Sequence, residues 1–252
     1  MFRQARHTAY TTYVAAAMAA ALAAGCGGGS DDDGYTPPPP VAKVTGAEGF
    51  WTGKSSTGDD VFLAILDNGD TWGVYARDGL ARGAVHGTTL SADGRLRGSS
   101  AQFDLTAHTV ASRAYEGTYT VQKDIRVWFG FDAFSGSYSK AYEQPASLAQ
   151  LAGIYKGVGV STGSAHMAVT LAINTDGAVA TEPMQGCTAR GSAAPRPGGR
   201  NIFDLRIAFA GDTCALGHGA IATGVAYYEN GALLTMGLLP SQTQGFIFMG
   251  QK

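Results

Sequence analysis

The chain has 252 residues, of which 36 are glycine, about twice the ordinary share, while charged residues make up 15%, well below the roughly 25% of an average domain. With 45% hydrophobic residues and a formal net charge of -2, it is neither a highly charged disordered chain nor a collagen-type repeat, and it lacks the basic excess of a nucleic-acid binder. The length allows one large or two ordinary domains.

Arg3, Arg6 and His7 give the amino terminus a positive start, and residues 9–24 are uncharged and rich in alanine, with Val14, Met18 and Leu22 among them. This run is shorter than the roughly 20 apolar residues of a spanning helix and reads as a secretory signal peptide over residues 1–25. It ends in Leu22-Ala23-Ala24-Gly25-Cys26. That ending resembles the bacterial lipoprotein signal, with the leucine four residues before the cysteine instead of three. The resemblance implies cleavage before Cys26, lipidation of Cys26 and attachment to a membrane. With Gly27, not Asp, after the cysteine, it also implies the outer membrane. Residues 26–46 are rich in Gly and Ser, then acidic at Asp31–Asp33, then rich in proline at Pro37–Pro40, a composition suited to a flexible tether and too polar for a core. Removal of the signal takes Arg3 and Arg6 and leaves a mature net charge of -4, which gives no electrostatic basis for binding nucleic acid.

The remainder is repetitive. GFWTGKSSTG at 49–58 parallels GIYKGVGVSTG at 153–163, and LAILDNGD at 63–70 parallels LAINTDGA at 171–178. Gly83, Gly87 and Thr88 answer Gly186, Gly191 and Ser192, and Phe103-Asp104-Leu105 answers Phe203-Asp204-Leu205. These matches keep one order and define two units, 47–144 and 154–252. Both units show strand periodicity: Ile125, Val127, Phe129 and Phe131 alternate with other residues in one run, and Phe203, Leu205, Ile207 and Phe209 in another. Turn dipeptides separate such runs at Asn68-Gly69, Asp78-Gly79, Asp93-Gly94, Asp176-Gly177 and Asn230-Gly231. The expected fold is all-β: two tandem related antiparallel meanders of about eight strands each, closed as small barrels or split into sandwiches. In the second unit the strands are expected near 154–160, 166–174, 178–185, 187–193, 201–209, 219–228, 232–239 and 245–251. Between the units, residues 145–153 form a short helical linker, with Ser147 as N-cap, Gln150 as its capping-box partner and Gly153 as terminator.

Gly49-Phe50-Trp51 after a turn resembles the G-x-W opening of lipocalin and avidin-like barrels, and Gly153-Ile154-Tyr155 is similar with tyrosine in place of tryptophan. The resemblance covers only the start of each unit. It implies that Trp51 and Tyr155 close one end of each barrel and that a small apolar molecule could be held inside. The layout is also similar to surface lipoprotein barrels such as the transferrin-binding and factor H-binding proteins.

With Cys26 lipidated, Cys187 and Cys214 are an even pair in an oxidising compartment and are expected to form a disulfide. Gly159-Val160-Ser161-Thr162-Gly163 fits G-x-S-x-G, but a nucleophile elbow requires a helix after the serine, where the pattern here predicts another strand. Gly53-Lys54-Ser55 lacks the earlier glycine of a phosphate loop, Glu48 standing in its place. His7, His86, His108, His166 and His218 are scattered, so neither a metal site nor a cofactor site is expected. Asp59, Asp60, Asp67 and Asp70 crowd one hairpin and would form a glycosidase-like pair only across a cleft. Arg190, Arg196 and Arg200, with Pro195 and Pro197, form either a recognition loop or a long hairpin connection.

The expectation is therefore a lipid-anchored envelope lipoprotein at the outer membrane, a non-catalytic binding or structural module whose partner is a protein or a small apolar ligand. The alternatives are a calycin-like small-ligand binder with a pocket lined by Trp51 or Tyr155, a hydrolase using Ser161, and a transmembrane barrel of about sixteen strands.

Overall fold

A computed structural model describes residues 46–130 and 132–252. The signal peptide, Cys26, the tether up to residue 45 and Phe131 lie outside the described residues.

The first unit consists of β1 (Gly49–Ser55), β2 (Asp60–Ile65), β3 (Asp70–Arg77), β4 (Leu80–Ala92), β5 (Arg95–Asp104), β6 (Thr109–Thr120), β7 (Asp124–Phe129) and β8 (Asp132–Tyr138). A 3-10 helix (Lys140–Glu143) and α1 (Leu148–Leu151) lead to the second unit. That unit consists of β9 (Gly153–Ser161), β10 (Met167–Ile173), β11 (Ala178–Thr181), β12 (Thr188–Pro195), β13 (Phe203–Ala210), β14 (Ile221–Glu229), β15 (Ala232–Leu238) and β16 (Gly245–Gln251). Each strand pairs antiparallel with the next, β8 returns to β1 and β16 returns to β9, so each unit is a closed eight-stranded barrel. Sixteen strands thus close as two rings of eight, not as one ring of sixteen, and closure leaves neither ring with an unpaired edge.

Local chemistry sets the hairpins. Asp93 and Gly94 (φ 50° and 75°) and Asn230 and Gly231 (φ 50° and 85°) both occupy the left-handed region, as a two-residue hairpin turn matched to strand twist requires. Ser147 caps α1, its Oγ accepting from Gln150 N–H, but the helix stops at Leu151 and Gly153 begins β9 instead of terminating the helix.

Register confirms most of the repeat. Trp51 pairs with Leu63 as Tyr155 pairs with Leu171, and Thr71 pairs with Gly87 as Val179 pairs with Gly191. The Phe-Asp-Leu match is a coincidence of sequence. Gly87 faces Ser100 and Gly191 faces Ile207, which makes Ser100 the counterpart of Ile207 and leaves Phe103 out of step with Phe203. The tight Asp93-Gly94 turn and the longer connection after Pro195 place the following strands differently. Phe203 points into its barrel, while Phe103 points out of its own.

Outward-facing apolar side chains join the barrels. Phe50, Trp72, Val74 and Phe103 of the first pack with Val160, Val225, Tyr227, Met236 and Ile247 of the second in one cluster. Phe50 and Tyr227 stack with ring centroids 3.6 Å apart. The Arg196–Ile202 segment, with Arg196 and Arg200, is part of this junction, whereas Arg190 is exposed on β12. Arg200 Nε donates to Glu48 Oε1 at 2.9 Å, both side chains being nearly buried, and Arg196 pairs with Asp204 at 2.8 Å. The segment is a packed hairpin connection and not an exposed recognition loop.

Candidate functional site in the second barrel

Inward positions decide what each barrel can hold. In the first, rings fill the interior: Trp51, Tyr115, Tyr119 and Phe134 are buried, with Tyr75, Phe129 and Tyr138 packed beside them. Glycines across the strands make room for these rings, since a Cβ on Gly83 would fall 2.0 Å from the Tyr75 ring and one on Gly98 2.5 Å from the Tyr115 ring. Several of the hydroxyls among them are linked by hydrogen bonds. Thr71 and Thr89 hydroxyls lie 2.6 Å apart, Thr89 and Tyr115 hydroxyls 2.6 Å apart, and Tyr75 donates to Phe103 O at 3.0 Å. Burial, with the charges of Asp104 and Asp59, pushes the Tyr75 phenol up to about 12, so it stays a neutral donor. This barrel is a packed core.

The second barrel also holds inward rings, Tyr155, Phe203, Phe209 and Phe248 being buried, but they leave space among them. Val169, Leu171, Ile173, Val179, Ala189, Leu205 and Ile207 line a cavity of about 400 Å³, within the roughly 300–1,000 Å³ of small-molecule sites. None of its lining residues is Asp, Glu, Lys or Arg. Its closed end is built on Tyr155, which is fully buried and donates its hydroxyl hydrogen bond to Leu151 O of α1. Trp51 does the same in the first barrel, its Nε1–H donating to Ala47 O at 3.1 Å. Neither aromatic lines the cavity, contrary to the sequence expectation for a ligand site. Both lie at the floor, where they close the barrel end, and the cavity begins above Tyr155.

The other end is the mouth, formed by residues 162–166, 182–187 and 211–220. Cys187 at the start of β12 and Cys214 in the 211–220 loop form a disulfide. Around it Thr213 Oγ1 donates to Gln185 O at 2.8 Å and Gly211 N–H donates to His218 Nδ1 at 3.1 Å. These contacts hold the loop across the opening with Leu216, buried to 8% exposure, facing the cavity. The loop is a latched cover.

The remaining sequence candidates do not assemble a catalytic set. Ser161 ends β9 at the mouth and a turn and strand follow it, so no helix supports an elbow. Among the described residues its Oγ is hydrogen-bonded to neither a histidine nor an acid, and the nearby His166 Nε2 bonds Ala81 O at 2.7 Å. Asp59 and Asp60 lie at one end of β2, Asp67 and Asp70 beyond the other, so they flank no common cleft. Asp59 is held by Arg77 at 2.9 Å and Asp60 by Lys54 at 2.6 Å. Burial pushes the Asp70 carboxyl up, but hydrogen bonds from His86 and Trp72, with the His86 and Arg196 charges, outweigh it and hold the group below its ordinary value. This Asp-His pair stabilises the barrel junction and has no nucleophile in its hydrogen-bond chain. No group of three or more metal-binding side chains occurs among the described residues.

No protein-family model matches the chain, and no curated protein matches it. The chain is similar to solved structures at low identity. Among them is the crystal structure of a protein of unknown function from the DUF3598 family of Nostoc punctiforme, with 11% identity and a TM-score of 0.32, the match covering 82% of this chain and 96% of that one.

Sequence reasoning missed the cavity wall and its cover. Ala189, Thr235 and Leu216 are ordinary residues in their local context, and only their common aim at one space gives them a role.

Proposed function

We propose that the protein is a lipid-anchored envelope lipoprotein, held at the outer membrane through Cys26, whose second barrel binds a small apolar molecule without transforming it. The observation that carries this reading is the asymmetry of the duplication. One copy is packed with aromatic rings and the other encloses an apolar cavity of about 400 Å³ under a disulfide-latched cover. A duplicated barrel retained only for structure would gain stability from filling that space, because an unfilled apolar cavity costs free energy in proportion to its size. The absence of Asp, Glu, Lys and Arg from the wall, and the engagement of His166 with Ala81 O instead of Ser161 Oγ, favour binding over hydrolysis. The lipoprotein-like signal and tether favour an anchored carrier or receptor over a freely diffusing one.

Titration with N-phenyl-1-naphthylamine, a neutral probe that fluoresces in apolar surroundings, is expected to show one saturable site per chain. Fluorescence that rises without saturation contradicts the binding reading. For the anchor, palmitate labelling is expected in cells making the wild type and not in cells making Cys26→Ala; equal label in both refutes it.

A further inference from the structure

Thr235 is a polar side chain set in the cavity wall below the mouth. It sits on β15 opposite Phe248, which in turn pairs with Gly159, so it lies between the floor at Tyr155 and the opening at Ser161. It is 2% exposed, lines the cavity, and its Oγ1 has no hydrogen-bond partner among the described residues. The other polar groups of the wall are otherwise placed. Thr181 Oγ1 accepts from Ala189 N–H at 3.0 Å, Thr213 bonds Gln185 O, and His166 bonds Ala81 O. Ser100 Oγ in the first barrel is likewise unpartnered, but it lines no cavity. A buried hydroxyl without a partner is costly, and valine would fill the same shape without that cost.

Resting on the binding reading above, we infer that the ligand of the second barrel is an uncharged, mainly apolar molecule carrying one hydroxyl or carbonyl oxygen that hydrogen-bonds Thr235 Oγ1. The threonine hydroxyl can donate or accept, so it serves either oxygen. The ligand is uncharged because the wall offers no lysine or arginine to a carboxylate and no acid to an amine, and an unpaired charge in such a space is prohibitive. The hydroxyl then supplies orientation and selectivity, while the aliphatic wall supplies most of the affinity.

The test uses displacement of N-phenyl-1-naphthylamine by naphthalene, 2-naphthol, 2-acetylnaphthalene and 2-naphthoate from wild type, Thr235→Val and Thr235→Ser. Thr235→Val is expected to weaken the two neutral oxygen-bearing probes by about tenfold and to leave naphthalene within about twofold, with Thr235→Ser restoring the difference. In wild type, 2-naphthoate is expected to bind at least about tenfold more weakly than naphthalene. Thermal unfolding of ligand-free Thr235→Val is expected at or above the wild-type temperature, which separates loss of the hydrogen bond from loss of fold. If the oxygen-bearing probes weaken no more than naphthalene, the role of Thr235 is wrong while the cavity stands. If naphthoate binds as well as naphthalene, the ligand is not restricted to uncharged molecules. If neither the fluorescent probe nor any competitor binds, the binding reading falls and this inference with it.

Discussion

Opening the Cys187–Cys214 bridge, by reduction or by the double substitution Cys187→Ser and Cys214→Ser, is expected to destabilise the protein by about 3.5 kcal/mol. The two cysteines are 27 positions apart, and closing a loop of that length removes roughly this much entropy from the unfolded chain. For a protein of this size the loss corresponds to a fall of roughly 10 °C in Tm. The effect on binding comes from geometry. Without the bridge, the 211–220 loop is held by Thr213 to Gln185 O and by the bonds at its base, so Leu216 leaves the mouth more readily. Dissociation of a trapped probe should quicken while its equilibrium contacts with the wall are unchanged. Thermal unfolding and stopped-flow release, each with and without reductant, check the two parts separately. A Tm shift below about 2 °C would mean that the loop is held as well without the bond.

The architecture was legible wherever it follows from short-range pattern. Phe203, Leu205, Ile207 and Phe209 alternate in sequence and all point into the barrel, because a strand buried on one face repeats every second residue. The dipeptides Asp93-Gly94 and Asn230-Gly231 mark turns because few other pairs adopt their backbone angles. The Phe-Asp-Leu triplets misled because identical letters take opposite faces when the preceding hairpin differs in length. Arg200 has its carboxylate partner 152 positions away, so nothing local distinguishes it from an exposed basic residue. The same limit applies to the site. A cavity depends on the summed volume of inward residues from eight strands, and the register of all eight must be known before Ala189, Gly159 and Thr235 are seen to face one space.

Ala189→Phe converts that geometry into a test with a large effect. Ala189 is buried, lies on β12 opposite the inward Phe209, and lines the cavity toward its mouth. A phenylalanine ring there enters space the ligand needs, much as aromatic rings occupy the first barrel. Because the ring fills a void without displacing packed atoms, stability is expected to be maintained or raised by about 1 kcal/mol. Affinity for N-phenyl-1-naphthylamine is expected to fall by at least about thirtyfold, since the probe must then give up most of its wall contacts. A loss of binding together with a loss of fold would be uninformative for an ordinary core residue, and the retained stability is what makes this position useful. The deciding measurement is therefore the probe titration of wild type and Ala189→Phe side by side, with thermal unfolding of both: one saturable site in the wild type, lost in a variant at least as stable, supports a ligand cavity in the second barrel, whereas equal saturable binding by both proteins contradicts it.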